Sequence, residues 1–137
     1  MKSIVKRSKC KEIFTISSSA TSSEEIWGGV GNPVYPSAAM ELALHGISCE
    51  GKRATLLEKS DYDKYDLFVG MDSQNVRNMH RIFGGDPDGK ICKLMDFTER
   101  GGDVADPWYS GCFDVAYRDI YEGCSSLFAT LMKEKCD

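Results

Sequence analysis

A chain of 137 residues and 15.2 kDa has the length of one domain of ordinary size and is too short for two, so residues 1–137 read as a single domain. Hydrophobic residues at 42% and charged residues at 28% exclude disordered, collagen-like and coiled-coil chains. The net charge of −4 argues against nucleic-acid binding, and no apolar run approaches the roughly 18 residues of a membrane span.

The first residues are basic: Lys2, Lys6, Arg7, Lys9 and Lys11. A secretory signal would follow them with a continuous apolar stretch, and none comes, so a cytoplasmic protein is expected. Residues 2–9 read as the end of a helix with Ile4 and Val5 as its apolar positions. Ile13-Phe-Thr-Ile16 is short, apolar and β-branched, the pattern of a strand. Ser17–Ser23 is a Ser-rich loop. Trp27-Gly-Gly-Val-Gly-Asn-Pro33 is a second loop, whose glycines suit a mobile lid. Pro36 fits the first turn of a helix carrying Ala39, Met40, Ala43 and Leu44, and Gly46 fits its C-terminal cap.

Tyr65–Val69 reads as the next strand. Asp72 or Ser73 caps a helix with the stripe Val76, Met79, His80 and Phe83, which Gly84-Gly85 stops. Asp86-Pro-Asp-Gly89 is a turn by composition, and Lys90–Met95 holds a third strand. Residues 98–111 form a long loop. The last helix runs from about Phe113 to Lys133 with Tyr117, Ile120, Tyr121, Cys124, Leu127, Phe128 and Leu131 on one face. Strands alternating with helices imply a parallel sheet covered on both faces. Ligands of such sheets bind outside the carboxyl ends of the strands, where the loops at 17–35, 70–75 and 98–109 should gather.

Three constellations could carry chemistry. In Asp106-Pro-Trp-Tyr109, a carboxyl stands beside two large aromatics. Asp before Pro favours an extended backbone that projects the side chain, and apolar neighbours raise a carboxyl's pKa, so such an acid can protonate a leaving oxygen. The competing reading is a turn with two half-buried rings. Trp27, Asn32 and Tyr35 form a second aromatic and polar cluster. Cys112-Phe-Asp-Val-Ala-Tyr-Arg118 has the Cys-x5-Arg spacing of a cysteine phosphatase loop. A phosphate cradle needs successive backbone N–H groups wrapped round the anion, usually through glycine. Here the five intervening residues lack glycine, include an Asp, and fit the first turns of a helix, so the spacing reads as a coincidence.

The six cysteines (10, 49, 92, 112, 124 and 136) form no Cys-x-x-Cys pair, and His45 and His80 are the only histidines. No metal site is expected and the thiols read as reduced. His45 and His80 read as structural, Ser17–Ser19 has no convincing His partner, and Gly28–Gly31 lacks the Lys-Ser or Lys-Thr of a phosphate loop.

In order, Ser17-Ser-Ser-Ala-Thr-Ser22, Gly31-Asn-Pro-Val-Tyr-Pro36, His45-Gly-Ile47, Met71-Asp72 with Asn75 and Arg77, and Asp103-Val-Ala-Asp-Pro-Trp-Tyr109 resemble the low-molecular-weight protein tyrosine phosphatases. The resemblance extends to about residue 133. It implies an α/β flavodoxin-like three-layer sandwich with a parallel sheet. It implies Asp106 as the general acid, and Trp27, Trp108 and Tyr109 as walls gripping the aryl ring of a phosphotyrosine protein or a small aryl phosphate. It implies no cofactor. The family opens with a strand and a Cys-x5-Arg-Ser loop, neither of which is found here. The expectation is therefore a sheet missing its first strand, rearranged or swapped, and a chain inactive as written. The alternative is a non-catalytic interaction protein, a homodimer or strand-swapped oligomer joined through exposed sheet edges. Lys52-Arg-Ala-Thr55 stands where relatives often show Lys-x-Ala-Arg, which weakens any role for Arg53. An arsenate reductase on the same fold is disfavoured for want of relay cysteines.

Overall fold

The segment Asp72–Gly85 shows how local rules write an element. Asp72 has extended backbone, and its carboxylate accepts from the Asn75 N–H at 2.8 Å, capping the helix Ser73–Phe83. Gly84, at φ +71°, closes it in the left-handed conformation and returns its N–H to the His80 carbonyl. Met79 and Phe83 are buried and Val76 packs on the same core, as the apolar stripe predicts. His80 departs from it: one turn before Phe83, it is exposed.

The computed structural model describes residues 1–2, 4, 14–22, 26–27, 30–31, 33–104 and 111–136. The chain divides into two compact units, Ser18–Lys93 and Met1–Ser17 with Leu94–Asp137. In chain order the elements are β1 (Ile26–Trp27), β2 (Val30–Gly31), α1 (Pro36–Leu44), β3 (Phe68–Gly70), α2 (Ser73–Phe83), β4 (Ile91–Lys93) and α3 (Phe113–Cys136). Lys59–Lys64 and Leu94–Phe97 are 3₁₀ turns.

In the first unit, β3 and β4 pair in parallel, with Phe68 opposite Ile91, Val69 opposite Cys92 and Gly70 opposite Lys93. A further parallel bridge joins Ala20 to Leu56, with Ala20 N–H donating to Thr55 at 2.6 Å and Leu57 N–H donating to Ala20 at 2.9 Å. The fold is α/β with a small parallel sheet. Its core is Leu57, Phe68, Met79 and Phe83, surrounded by Tyr62, Tyr65, Val76, Ile82 and Ile91. Phe68 and Phe83 lie 4.7 Å apart, and Tyr62 meets Phe83 edge-on at 5.1 Å, in the tilted arrangements that aromatic quadrupoles favour.

Tyr62 also fastens the 3₁₀ turn to the 86–90 turn. Its hydroxyl donates to Asp86 Oδ1 at 2.7 Å and accepts from the Asp88 N–H at 2.9 Å. Asp86 in addition accepts from the N–H groups of Lys90 and Ile91, so one carboxylate launches β4. Burial raises the Tyr62 pKa, and the bond to Asp86 raises it further. Burial pushes the Asp86 carboxyl up, but the bonds from Tyr62, Ile91 and Lys90 outweigh it and hold the group below its usual value.

In the second unit α3 packs on the Leu94–Phe97 turn. Leu94 and Met95 are 1% and 0% exposed. The buried face of α3 is Ala116, Asp119, Gly123, Cys124 and Leu127. Of the expected stripe Cys124 and Leu127 are buried and Tyr117, Phe128 and Leu131 half-buried, whereas Ile120 and Tyr121 are exposed, so its edge is shifted toward Gly123. The cause is Gly123, against whose bare backbone Leu94 lies: a Cβ there would stand 2.5 Å from Leu94 Cγ. Closest approach at a glycine, rather than the largest side chains, sets which face turns inward. Buried Asp119 is neutralised by Arg100, whose guanidinium donates to it at 2.8 Å and to Glu122 at 2.9 Å.

Other expectations shift as well. The strand expected at Lys90–Met95 ends at Lys93, because Leu94 and Met95 enter a turn that buries both. Among the described residues Phe14–Ile16 forms no ladder; a strand needs a paired edge, and Phe14 instead sets its ring 5.9 Å from Phe128 of α3. Ile13 lies outside the described residues. Lys2 and Ile4 are helical, as expected, and the rest of 2–9 lies outside them. The Trp27–Pro33 segment holds an antiparallel ribbon instead of an open lid loop: Ile26 pairs with Gly31 and Trp27 with Val30.

Candidate functional site

The carboxyl ends of the strands are where a parallel sheet presents ligands, so the site is built from what stands there in the Ser18–Lys93 unit. Gly70 ends β3 in close contact with α2. A Cβ at this position would meet Asn75 Cβ and Met79 Cε at 3.1 Å. The next residue turns the chain: Met71 N–H donates to Asn75 Oδ1 at 3.0 Å. Ser73 opens α2, and the Lys93 ammonium at the end of β4 donates to its hydroxyl at 3.2 Å.

The Ser-rich loop is fastened to the same place. Thr21 Oγ1 accepts from Asn75 Nδ2 at 3.3 Å and from Asn78 Nδ2 at 3.2 Å. Asn78 is buried, and its own oxygen accepts from Gln74 at 3.0 Å. With both amides spent on it, Thr21 is held between α2 and the Ala20–Leu56 bridge. Asn75 was legible from its place after Met71-Asp72. Asn78 was not, because an Asn inside a helix looks like an exposed polar position until the fold buries it. Arg77 is exposed and donates to Gln74 Oε1 at 2.8 Å, outside this cluster.

The ribbon docks on the 53–54 segment. Pro33 and Arg53 form an antiparallel bridge, and Arg53 Nη1 donates to the Gly31 carbonyl at 3.1 Å. Gly31 is required by contact: a Cβ there would fall on the Ala54 carbonyl oxygen. The backbone of Trp27 lies in β1, opposite Val30. Asp106, Trp108 and Tyr109 lie outside the described residues, as does Asn32. Tyr35 is exposed, on the residue before α1. His45 stands at the C-terminal cap of α1, exposed, 3.3 Å from Glu41.

Cys112 is exposed immediately before α3, and Ala116 N–H donates to its carbonyl at 3.2 Å. Residues 113–118 are therefore helical, with their N–H groups directed along the helix. They do not wrap an anion, and the Cys112–Arg118 spacing forms no phosphate cradle. Among the described residues no cluster of His, Cys, Asp or Glu could hold a metal ion.

The model of the family "Low molecular weight phosphotyrosine protein phosphatase" matches residues 1–136. The chain belongs to this family. The low molecular weight protein-tyrosine-phosphatase YfkJ of Bacillus subtilis is 32% identical over 108 residues, 77% of this chain and 69% of that protein. The PtpA phosphatase of Staphylococcus haemolyticus is 30% identical over 106 residues, 77% of this chain and 67% of that protein. The crystal structure of YfkJ superposes with a TM-score of 0.89, covering 98% of this chain and 83% of that one at 26% identity. The Streptococcus pyogenes phosphatase structure gives a TM-score of 0.80 at 30% identity, covering 95% and 79%. The α/β fold of this chain is that of the low-molecular-weight phosphatases.

Proposed function

We propose that this chain uses the specificity of its family, for phosphotyrosine proteins or small aryl phosphates, on a flavodoxin-like three-layer sandwich. Asp106 holds the place of the general acid, which would give its proton to the phenolic oxygen once a nucleophile takes the phosphoryl group and the P–O bond breaks. Trp27, Trp108 and Tyr109 wall the aryl pocket. The residues 1–137 by themselves do not turn over, because the phosphoryl group needs a nucleophile on a phosphate-binding loop. The observation that carries this reading is the helical start of α3: the one cysteine followed by an Arg at the right spacing, Cys112, opens a helix. We place the protein in the cytoplasm. In support, no described helix is long and apolar enough to cross a membrane, and Cys49 and Cys124 are free thiols.

The test is hydrolysis of p-nitrophenyl phosphate by the purified chain, with and without vanadate, beside Cys112→Ser and Asp106→Asn. The expected result is no turnover from a folded sample. Vanadate-sensitive turnover lost in Cys112→Ser would overturn the reading and make Cys112 the nucleophile.

A second reading has one observation in its favour. Among the described residues β3 pairs with β4 alone, and an unpaired strand edge is a template for another strand. A homodimer or strand-swapped oligomer would use it. Light scattering decides: a monodisperse monomer at tens of micromolar removes this reading.

A further inference from the structure

The loop that carries Trp27 is docked by contacts of this chain's own making. Only two residues separate Trp27 from Val30, and the pair Trp27–Val30 sits directly beside the pair Ile26–Gly31. A two-stranded ribbon this short has little stability by itself. What holds it is the 53–54 segment. Arg53 contributes a backbone bridge to Pro33 and a guanidinium bond to the Gly31 carbonyl at 3.1 Å, and Gly31 lies so close to Ala54 that a side chain is excluded. The bonded carbonyl thus belongs to the residue after Trp27's pairing partner. A guanidinium suits the task, since its rigid planar fork loses less freedom per hydrogen bond than a lysine would.

We propose that Arg53 is a positioning residue for Trp27: by anchoring Gly31 it holds the ribbon in one place, so that the aryl-binding wall is preset instead of closing on the ligand. This rests on the reading of Trp27 as a pocket wall. A preset wall binds a planar ring without the cost of ordering a loop. The consequence is confined to the aryl group, because Arg53 is committed to a backbone carbonyl and acts through Trp27.

The test uses the full chain labelled with 5-fluorotryptophan, its two ¹⁹F resonances assigned with Trp27→Phe and Trp108→Phe. Arg53→Met keeps the aliphatic stem and removes the donor. It is expected to shift and broaden the Trp27 resonance and leave Trp108 unchanged, with the melting transition retained. Arg53→Lys should recover part of the wild-type signal. Gly31→Ala, which pushes the ribbon and the carbonyl that Arg53 bonds off the 53–54 segment while the guanidinium itself is kept, should move the same resonance. A Trp27 signal unchanged in Arg53→Met overturns the proposal, as does an equal change at both tryptophans. The functional readout is the preference for phenylphosphonate over methylphosphonate, expected to fall about fivefold in Arg53→Met, the worth of one hydrogen bond. An unchanged preference also overturns it. If the wild-type chain binds neither phosphonate, as a chain without a phosphate-binding loop would, the fluorine spectra alone decide whether Arg53 positions the ribbon.

Discussion

Gly123→Ala should destabilise the protein although alanine is the better helix former. Residue 123 is inside α3, where Gly to Ala ordinarily gains about 1 kcal/mol. The new methyl would stand 2.5 Å from Leu94 Cγ and 2.9 Å from Leu94 Cδ2, well inside contact distance. Leu94 is 1% exposed and Met95 beside it 0%, so Leu94 cannot move aside into solvent and must be accommodated within a close-packed interior. Overpacking of a filled core costs about 1–3 kcal/mol, which exceeds the propensity gain at its centre. A net loss of about 1 kcal/mol is expected from urea denaturation followed by far-ultraviolet circular dichroism. The control is the same substitution in a Leu94→Ala background. Leu94→Ala alone should cost about 2–5 kcal/mol through its cavity. With the clash removed, Gly123→Ala should then stabilise by about 1 kcal/mol. The two effects of opposite sign define a coupling of about 2 kcal/mol between neighbours. An equal effect of Gly123→Ala in both backgrounds would refute the claim that Leu94 against a bare glycine sets the face of α3.

Further outcomes follow from the hydrogen-bond networks. Asp86 has a depressed folded pKa, so its contribution is present above the unfolded aspartate pKa of about 3.9 and is lost as pH falls through the lower folded value. Tyr62 has a raised one, so its contribution is complete below a pH of about 10 and is lost as pH rises through the folded value. Asp86→Asn and Tyr62→Phe should each lower stability, and in melts from pH 2 to 7 Asp86→Asn should flatten the acid limb; an unaltered acid limb would assign it to other carboxylates. Thr21→Val should cost about 1–3 kcal/mol by leaving the Asn75 and Asn78 amides without their acceptor, and Thr21→Ser should restore most of it; hydrogen exchange across residues 17–22 reports the release of the loop. Arg100→Ala strands buried Asp119, so a lower melting temperature is expected, moderated by the exposure of Arg100 and relieved by the further change Asp119→Ala; an unchanged melt would show that Asp119 does not depend on Arg100.

Much of the molecule was legible from residues that act locally. The cap at Asp72, the stop at Gly84, the turn at 86–89 and the helix beginning at Pro36 each depend on neighbours a few positions away, so the sequence alone determines them. The family was legible for the same reason: its motifs are contiguous runs, and the match over residues 1–136 agrees with them. What tertiary structure decided depends on residues far apart in the chain. Asn78 gains its role only when Thr21, 57 positions away, is brought to it. The Trp27 segment becomes a ribbon because Arg53 and Ala54 stand behind Gly31, and composition alone reads those glycines as freedom when one of them answers a contact. On α3 the periodicity gives Cys124 and Leu127 as buried, but it places Ile120 and Tyr121 inward and passes over Gly123, because it weighs large side chains whereas two surfaces approach most closely where a side chain is missing.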